Sequence, residues 1–133
     1  MNYTFFDPVT GKIAFNFTGE TLNEMRQNYP SLEVIDDIFP AKSFYIDVAT
    51  MTAQPRPNNT AVIDKVSILA NGVDELCISL IPANSKIDLR GEISGTFTIN
   101  DGTFYFTTQE PGIYQINLFS FPEQDTQFII SAE

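Results

Sequence analysis

The stretch from Gly102 to Phe121 constrains the fold of this chain more than any other. It reads GTFYFTTQEPGIYQINLFSF, two runs of alternating apolar and polar residues (103–108 and 113–120) on either side of Glu110-Pro-Gly. Alternation with a period of two is the pattern of a half-buried β-strand. The chain after Thr60 is therefore predicted to be β-structure arranged around these two strands.

The corner between the two runs predicts how they are joined. Pro111 and Gly112 are followed two residues later by Tyr114. This resembles the tyrosine corner of immunoglobulin-like sandwiches, in which the hydroxyl bonds to backbone a few residues upstream. The cysteine that would follow in an antibody domain is Ile116 here, so only the corner matches. We expect structural roles for Pro111, Gly112 and Tyr114.

Seven short runs between residues 60 and 133 predict strands, with turn signals between them. They lie near residues 62–70, 76–81, 87–89, 93–99, 103–108, 113–120 and 126–132. In the first run, Val62, Val66, Ile68 and Ala70 are expected to share one face. Short strands at this spacing are typical of an antiparallel sandwich. We predict a mainly β protein whose residues 60–133 form a seven-stranded antiparallel Ig-like β-sandwich.

Residues 1–55 are predicted to form a separate β-rich region with one short helix. Runs at 2–6 and 12–18 flank a loop that contains proline and glycine, which predicts a β-hairpin. Thr21 and Glu24 fit a capping box for a short helix that Pro30 would end. Further strands are expected at 31–38 and 42–48. The proline-rich segment 54–60 predicts a linker between the two domains.

Composition excludes most chemistry. The chain has no histidine, one cysteine (Cys77), and a net charge of −10 with only seven basic residues. Histidine-based catalysis and zinc sites are thereby excluded, and the scarcity of Lys and Arg argues against nucleic-acid binding. Asn100-Asp-Gly is explained by a hairpin turn better than by a calcium loop. We expect no catalytic residues, no cofactor, no metal and no enzyme activity.

No membrane or secretory segment is expected. The N-terminus has neither the basic nor the apolar part of a signal peptide, and no apolar run approaches the roughly 20 residues that span a bilayer. We therefore expect synthesis in a cytoplasm and no membrane insertion.

Exposed phenylalanines are the candidate docking residues. The N-terminal region is rich in rings, and Phe5, Phe15 and Phe17 are predicted to contact a partner because one hairpin and a short helix offer little cover. Alternation also places Phe119 and Phe121 on outward faces. These two rings suit a protein contact, a cover formed by the N-terminal segment, or a platform for carbohydrate.

Several stretches resemble small virion proteins of tailed bacteriophages and their prophages. They are Asp7-Pro-Val-Thr-Gly near the N-terminus, SFYIDVATMTAQPRP, the turn ANGVDE and the corner PGIY. The resemblance implies a non-enzymatic structural component of the virion, in the tail, fibre or baseplate region. It implies other virion proteins as partners, many copies, and an Ig-like module presented by a docked N-terminal region.

Two rival functions remain open on the sequence alone. One is a soluble module that binds glycan or protein at a cell surface, and the other is a small enzyme. The oligomeric state of the purified protein would separate a virion component from a binding module, because such modules are commonly monomers.

Overall fold

All 133 residues are described by the computed structural model, and they divide into two compact units, Met1–Pro57 and Asn58–Glu133. The predicted mainly β fold is confirmed. Unit 1 contains β1 (Asn2–Phe6), β2 (Ile13–Thr18), α1 (Leu22–Asn28), β3 (Glu33–Asp36), β4 (Phe44–Asp47) and β5 (Thr52–Pro55). Unit 2 contains β6 (Val62–Ile63), β7 (Ser67–Ile68), β8 (Leu76–Ser79), β9 (Ser85–Arg90), β10 (Gly95–Ile99), β11 (Phe104–Phe106), β12 (Gly112–Phe119) and β13 (Thr126–Ala132).

The predicted N-terminal hairpin forms the centre of unit 1. β1 pairs antiparallel with both β2 and β3, in the order β2-β1-β3. A bulge between Phe5 and Phe6 shifts the register. A bulge redirects neighbouring side chains, and both rings are buried, with Phe6 in a small core that also contains Ile13 and Ile46.

A second hairpin, β4-β5, replaces the first half of the predicted linker. Residues 54 and 55 belong to β5, and Arg56 is 7% exposed. The Arg56 amide donates to the Ser43 carbonyl at 2.8 Å, and its guanidinium donates to the Ala41 carbonyl at 3.2 Å. The linker prediction was wrong for these residues, because hydrogen bonds attach them to unit 1.

The helix forms without its predicted capping box. Thr21 precedes α1 but makes no side-chain cap bond, and Glu24 lies in the first turn. The Thr21 carbonyl accepts the Met25 amide at 3.1 Å, so the first turn closes through backbone alone. None of the residues in α1 is buried. A helix this short depends on packing rather than propensity.

Unit 2 is a sandwich of two sheets. One sheet has the order β10-β9-β12-β13-β7 and the other β11-β8-β6. This division corresponds to the two-sheet arrangement of immunoglobulin-like domains. The strand count and direction differ from the prediction, however. Unit 2 has eight strand segments, and β7 pairs parallel with β13.

The extra strand arises because the first predicted strand is split between the sheets. β6 pairs with β8, whereas β7 pairs with β13 in the opposite sheet. Before the chain crosses from one sheet to the other, Asp64 accepts the Cys77 amide at 2.8 Å. After the crossing, Asp74 accepts the Leu69 amide at 2.8 Å. The shared face predicted for this run was wrong, since Val62 and Val66 are exposed whereas Ile68 is buried.

The sandwich core is mainly aliphatic and follows the predicted alternation. Its buried members on the central strands are Leu76, Ile78, Ile87, Leu89, Tyr114, Ile116, Leu118 and Ile130. In β12 every second side chain, from Tyr114 to Leu118, points inward. The other side chains of this strand form part of the outer face of the five-stranded sheet.

Candidate docking surfaces

Tyr114 has the geometry of a tyrosine corner. Its ring is fully buried, and its hydroxyl donates to the Glu110 carbonyl at 2.7 Å. The Thr108 hydroxyl lies 3.1 Å from the Tyr114 hydroxyl oxygen and accepts the Glu110 amide at 3.0 Å. Because the Tyr114 proton is used on Glu110, Thr108 donates to Tyr114. The corner is thus closed by three bonds, and Thr108 is a member that the sequence did not reveal.

Glycines shape the surroundings of the corner. Gly112 begins β12 at φ +147° and pairs with Ala132, while the adjacent Pro111 is exposed. A Cβ at Gly91 would lie 2.5 Å from the Tyr114 ring. Gly91, which the sequence analysis did not single out, is therefore required for the close approach of the backbone to this tyrosine.

In unit 1, five rings pack in two stacked groups along one face of the hairpin. We call this set, Tyr3, Phe5, Phe15, Phe17 and Tyr29, the aromatic layer. Across β1 and β2, Phe5 stacks on Phe15 at 4.7 Å between centroids, and Tyr3 stacks on Phe17 at 6.3 Å. Tyr29, just after α1, tilts against Phe15 at 4.9 Å. The rings therefore cover one another, which the sequence analysis did not anticipate.

The predicted docking residues of unit 1 differ in accessibility. Phe5 is 0% exposed and offers no surface to a partner, so its assignment as a direct contact residue is corrected to a core role. Phe15 and Phe17 are half-buried. Tyr29 is 44% exposed, and it belongs to the same layer although the sequence analysis did not single it out. The accessible part of the layer is thus Phe15, Phe17 and Tyr29.

The two candidate rings of unit 2 are not equivalent. Phe119 ends β12 on the outer face of the five-stranded sheet and is 45% exposed. Phe121 lies beyond the end of the strand, is half-buried and precedes Pro122 through a cis peptide bond. Strand alternation therefore does not determine its direction. Ile113 and Ile129 are exposed on the same outer face as Phe119.

A row of polar side chains crosses the same outer face. The register places Thr96, Asp88, Asn117 and Gln127 side by side on four neighbouring strands. Gln127 donates to the Asn117 side chain at 2.7 Å, and the Arg90 guanidinium donates to Asp88 at 2.9 Å. A surface depression of about 360 Å³ adjoins the row and is lined by Asp88, Leu89, Arg90, Ser94, Gly95 and Thr96.

One surface ion pair shifts the pKa values of both of its members. Lys65 and Asp74 lie 2.7 Å apart. The hydrogen bond to Asp74 raises the pKa of Lys65, and the bonds from Lys65 and the Leu69 amide lower the pKa of Asp74. The pair lies beside the segment that connects β6 and β7, so it bears on the stability of the fold rather than on a binding site.

No group of three or more Cys, Asp or Glu side chains is placed to hold a metal ion. The helix α1 is too short to cross a membrane.

Comparison with known proteins identifies no family. No family model matches the chain, and no curated protein matches it. Among solved structures, a glycosyl hydrolase family 2 member from Bacteroides cellulosilyticus is similar over 99% of this chain, at 8% identity and a TM-score of 0.42. The chain spans 21% of that protein. A likeness at this level carries no argument about function.

Proposed function

We propose that this chain is a non-enzymatic structural component of a tailed bacteriophage virion, in the tail, fibre or baseplate region. It docks on a neighbouring virion protein through unit 1 and presents the Ig-like unit 2. The resemblance in the sequence motivates this proposal, and the aromatic layer of unit 1 is the structural observation that supports it.

The layer suits a docking role because its inner and outer rings differ. Tyr3 and Phe5 are buried and fix the layer in place, whereas Phe15, Phe17 and Tyr29 keep apolar surface in water. Apolar surface released from water on binding contributes about 25 cal/mol per Å². Aromatic residues are enriched in interface cores. Rings held by a buried layer also lose little freedom on binding, which favours affinity.

Purified particles provide the test of this function. Particles of a phage or induced prophage that encodes the chain should contain it at stoichiometric copy number after density-gradient purification, as measured by quantitative mass spectrometry. A matched control is the same preparation from a genome in which the gene is deleted. Absence of the chain from purified wild-type particles would contradict the proposal.

The polar row favours a second candidate, a glycan-binding module. Asp88, Asn117 and Gln127 are held in place by side-chain hydrogen bonds beside a depression, and the exposed Phe119 ring lies two residues from Asn117. Fixed amide and carboxylate groups next to an aromatic ring suit sugar hydroxyls and the apolar face of a sugar. Binding on a glycan array that is lost in Asn117→Ala but retained in Phe15→Ser would support this candidate over docking.

A further inference from the structure

The free edges of the sandwich are unequal, and one of them is open to pairing. At the ends of the two sheets, β6 and β7 have two residues each and β11 has three, whereas β10 has five. Short edge strands are one of the usual protections against strand addition. Only β10 offers a long edge, and on that side its backbone has no backbone partner in the chain.

The sequence of β10 also lacks the other protections. Gly95–Ile99 reads GTFTI, with no charged residue, no proline and no bulge in its pairing with β9. Thr96, Phe97 and Thr98 are all exposed. Phe97 faces the core side and touches Phe104 at 5.3 Å between centroids, yet it remains 41% exposed because no strand lies beyond it.

We propose that β10 pairs antiparallel with β10 of a second copy of this chain, with the two Phe97 residues facing each other across the two-fold axis. The sheets of the two copies then join into one continuous sheet. In an antiparallel pair, opposed residues point to the same face. The register centred on Phe97 opposes Thr96 to Thr98 of the second copy and pairs the whole of β10.

Charge complementarity supports a second copy as the occupant in this register. Within one copy, Thr96 is opposite Asp88 and Thr98 is opposite Lys86. Pairing through Phe97 therefore puts Asp88 in the same row as Lys86 of the second copy, on both sides of the axis. Registers centred on Thr96 or Thr98 would put two aspartates or two lysines in one row. At three strand spacings, roughly 14 Å, salt screens most of this attraction, so it biases the register and does not hold the dimer together.

Sedimentation equilibrium of the full chain tests the association, at about 0.15 M salt so that the net charge is screened. We expect a monomer–dimer equilibrium between micromolar and millimolar concentration. Phe97→Lys should lower the association constant at least about tenfold, because it places charge at the centre of the edge. Ile129→Lys, which adds the same charge on β13 away from the edge, should leave it unchanged. A wild-type chain that stays monomeric, or a dimer that survives Phe97→Lys, overturns the proposal.

Cross-linking tests the register with substitutions at exposed positions that leave the core intact. In a Cys77→Ala background, an equimolar mixture of Thr96→Cys and Thr98→Cys should form disulfide-linked dimers faster than either variant alone. Faster cross-linking of Thr96→Cys with itself, or equal rates in all three samples, would overturn the register. This association is measured on the purified chain and does not depend on the proposed virion role.

Discussion

The two units bury apolar surface in different ways. Unit 2 fills the space between two sheets with aliphatic side chains from alternating positions, and only three of the fourteen buried core residues are aromatic. Unit 1 has a core cluster of only three buried residues and relies on stacked rings across a hairpin. Small units have a high ratio of surface to volume and bury a smaller share of their chain. Large rings supply burial with few residues, but they also leave apolar surface at the rim.

The largest expected effect comes from removing a central ring of unit 1. Phe5→Ala should destabilise unit 1 by about 3–5 kcal/mol, because it deletes a fully buried ring and its stack on Phe15. Hydrogen exchange followed by mass spectrometry should show lost protection in peptides from residues 1–57 and retained protection in residues 58–133. Phe17→Ala, at a half-buried ring, is the matched control with a smaller loss. Equal loss in both units would show that they unfold as one.

A pair of glycines sharpens the comparison. Gly11 in the unit 1 hairpin and Gly102 in unit 2 both have φ near +80°. A Cβ at Gly11 would collide with the Ile46 carbonyl, whereas at Gly102 it would meet nothing closer than 3.7 Å. Gly102→Ala should cost about 1–2 kcal/mol of backbone strain alone. Gly11→Ala should cost about 3 kcal/mol or more, since steric overlap adds to the strain. Denaturant unfolding of both variants checks this, and equal costs would contradict it.

A smaller effect is expected at the corner of unit 2. Tyr114→Phe removes the donor to Glu110 and one partner of Thr108, and should cost about 0.5–1.5 kcal/mol without changing the fold. The measurement is the free energy of unfolding, with Tyr105→Phe at an exposed position as the control. An unchanged unfolding midpoint in Tyr114→Phe would reduce this residue to a packing role.

The smallest expected effect concerns the ion pair of unit 2. The pKa of Asp74 is lowered by folding, so its contribution to stability is present above its ordinary value of 3.8 and is lost as the pH falls through the lower folded value. The pKa of Lys65 is raised, so its contribution is present below 10.5 and is lost as the pH rises through the higher folded value. Lys65→Met should slightly flatten the acid side of the curve of unfolding free energy against pH. A wild-type profile and a Lys65→Met profile that coincide would contradict a role for the pair.

Sequence alternation predicted the sandwich well where strands pair over their whole length. The seventh predicted strand, 126–132, has the bounds observed for β13, and the hairpin of unit 1 forms as expected. The split of the first strand was not predictable from alternation. It depends on Asp74 and on pairing with a strand about 60 residues away in the chain.

The docking candidates show a second limit of sequence reasoning. Alternation assigned Phe5, Phe15 and Phe17 to a hairpin, but it does not say what covers each ring. Phe5 lies on the central strand β1, between β2 and β3, whereas Phe15 and Phe17 lie on the edge strand β2. Strand order is a tertiary property, so the sequence alone did not separate the core ring from the rim rings.

Incorporation of variants into particles tests the central claim most directly, namely that the exposed rim of the aromatic layer attaches this chain to the virion. Phe15→Ser combined with Phe17→Ser should leave Phe5 in place and unit 2 folded, but reduce incorporation by roughly tenfold or more, which corresponds to about 1.4 kcal/mol of lost binding. Phe119→Ser is the matched control on unit 2 and should incorporate like the wild type. Normal incorporation of the double variant would contradict the account. If Phe119→Ser then failed to incorporate, docking would be assigned to the outer face of the five-stranded sheet.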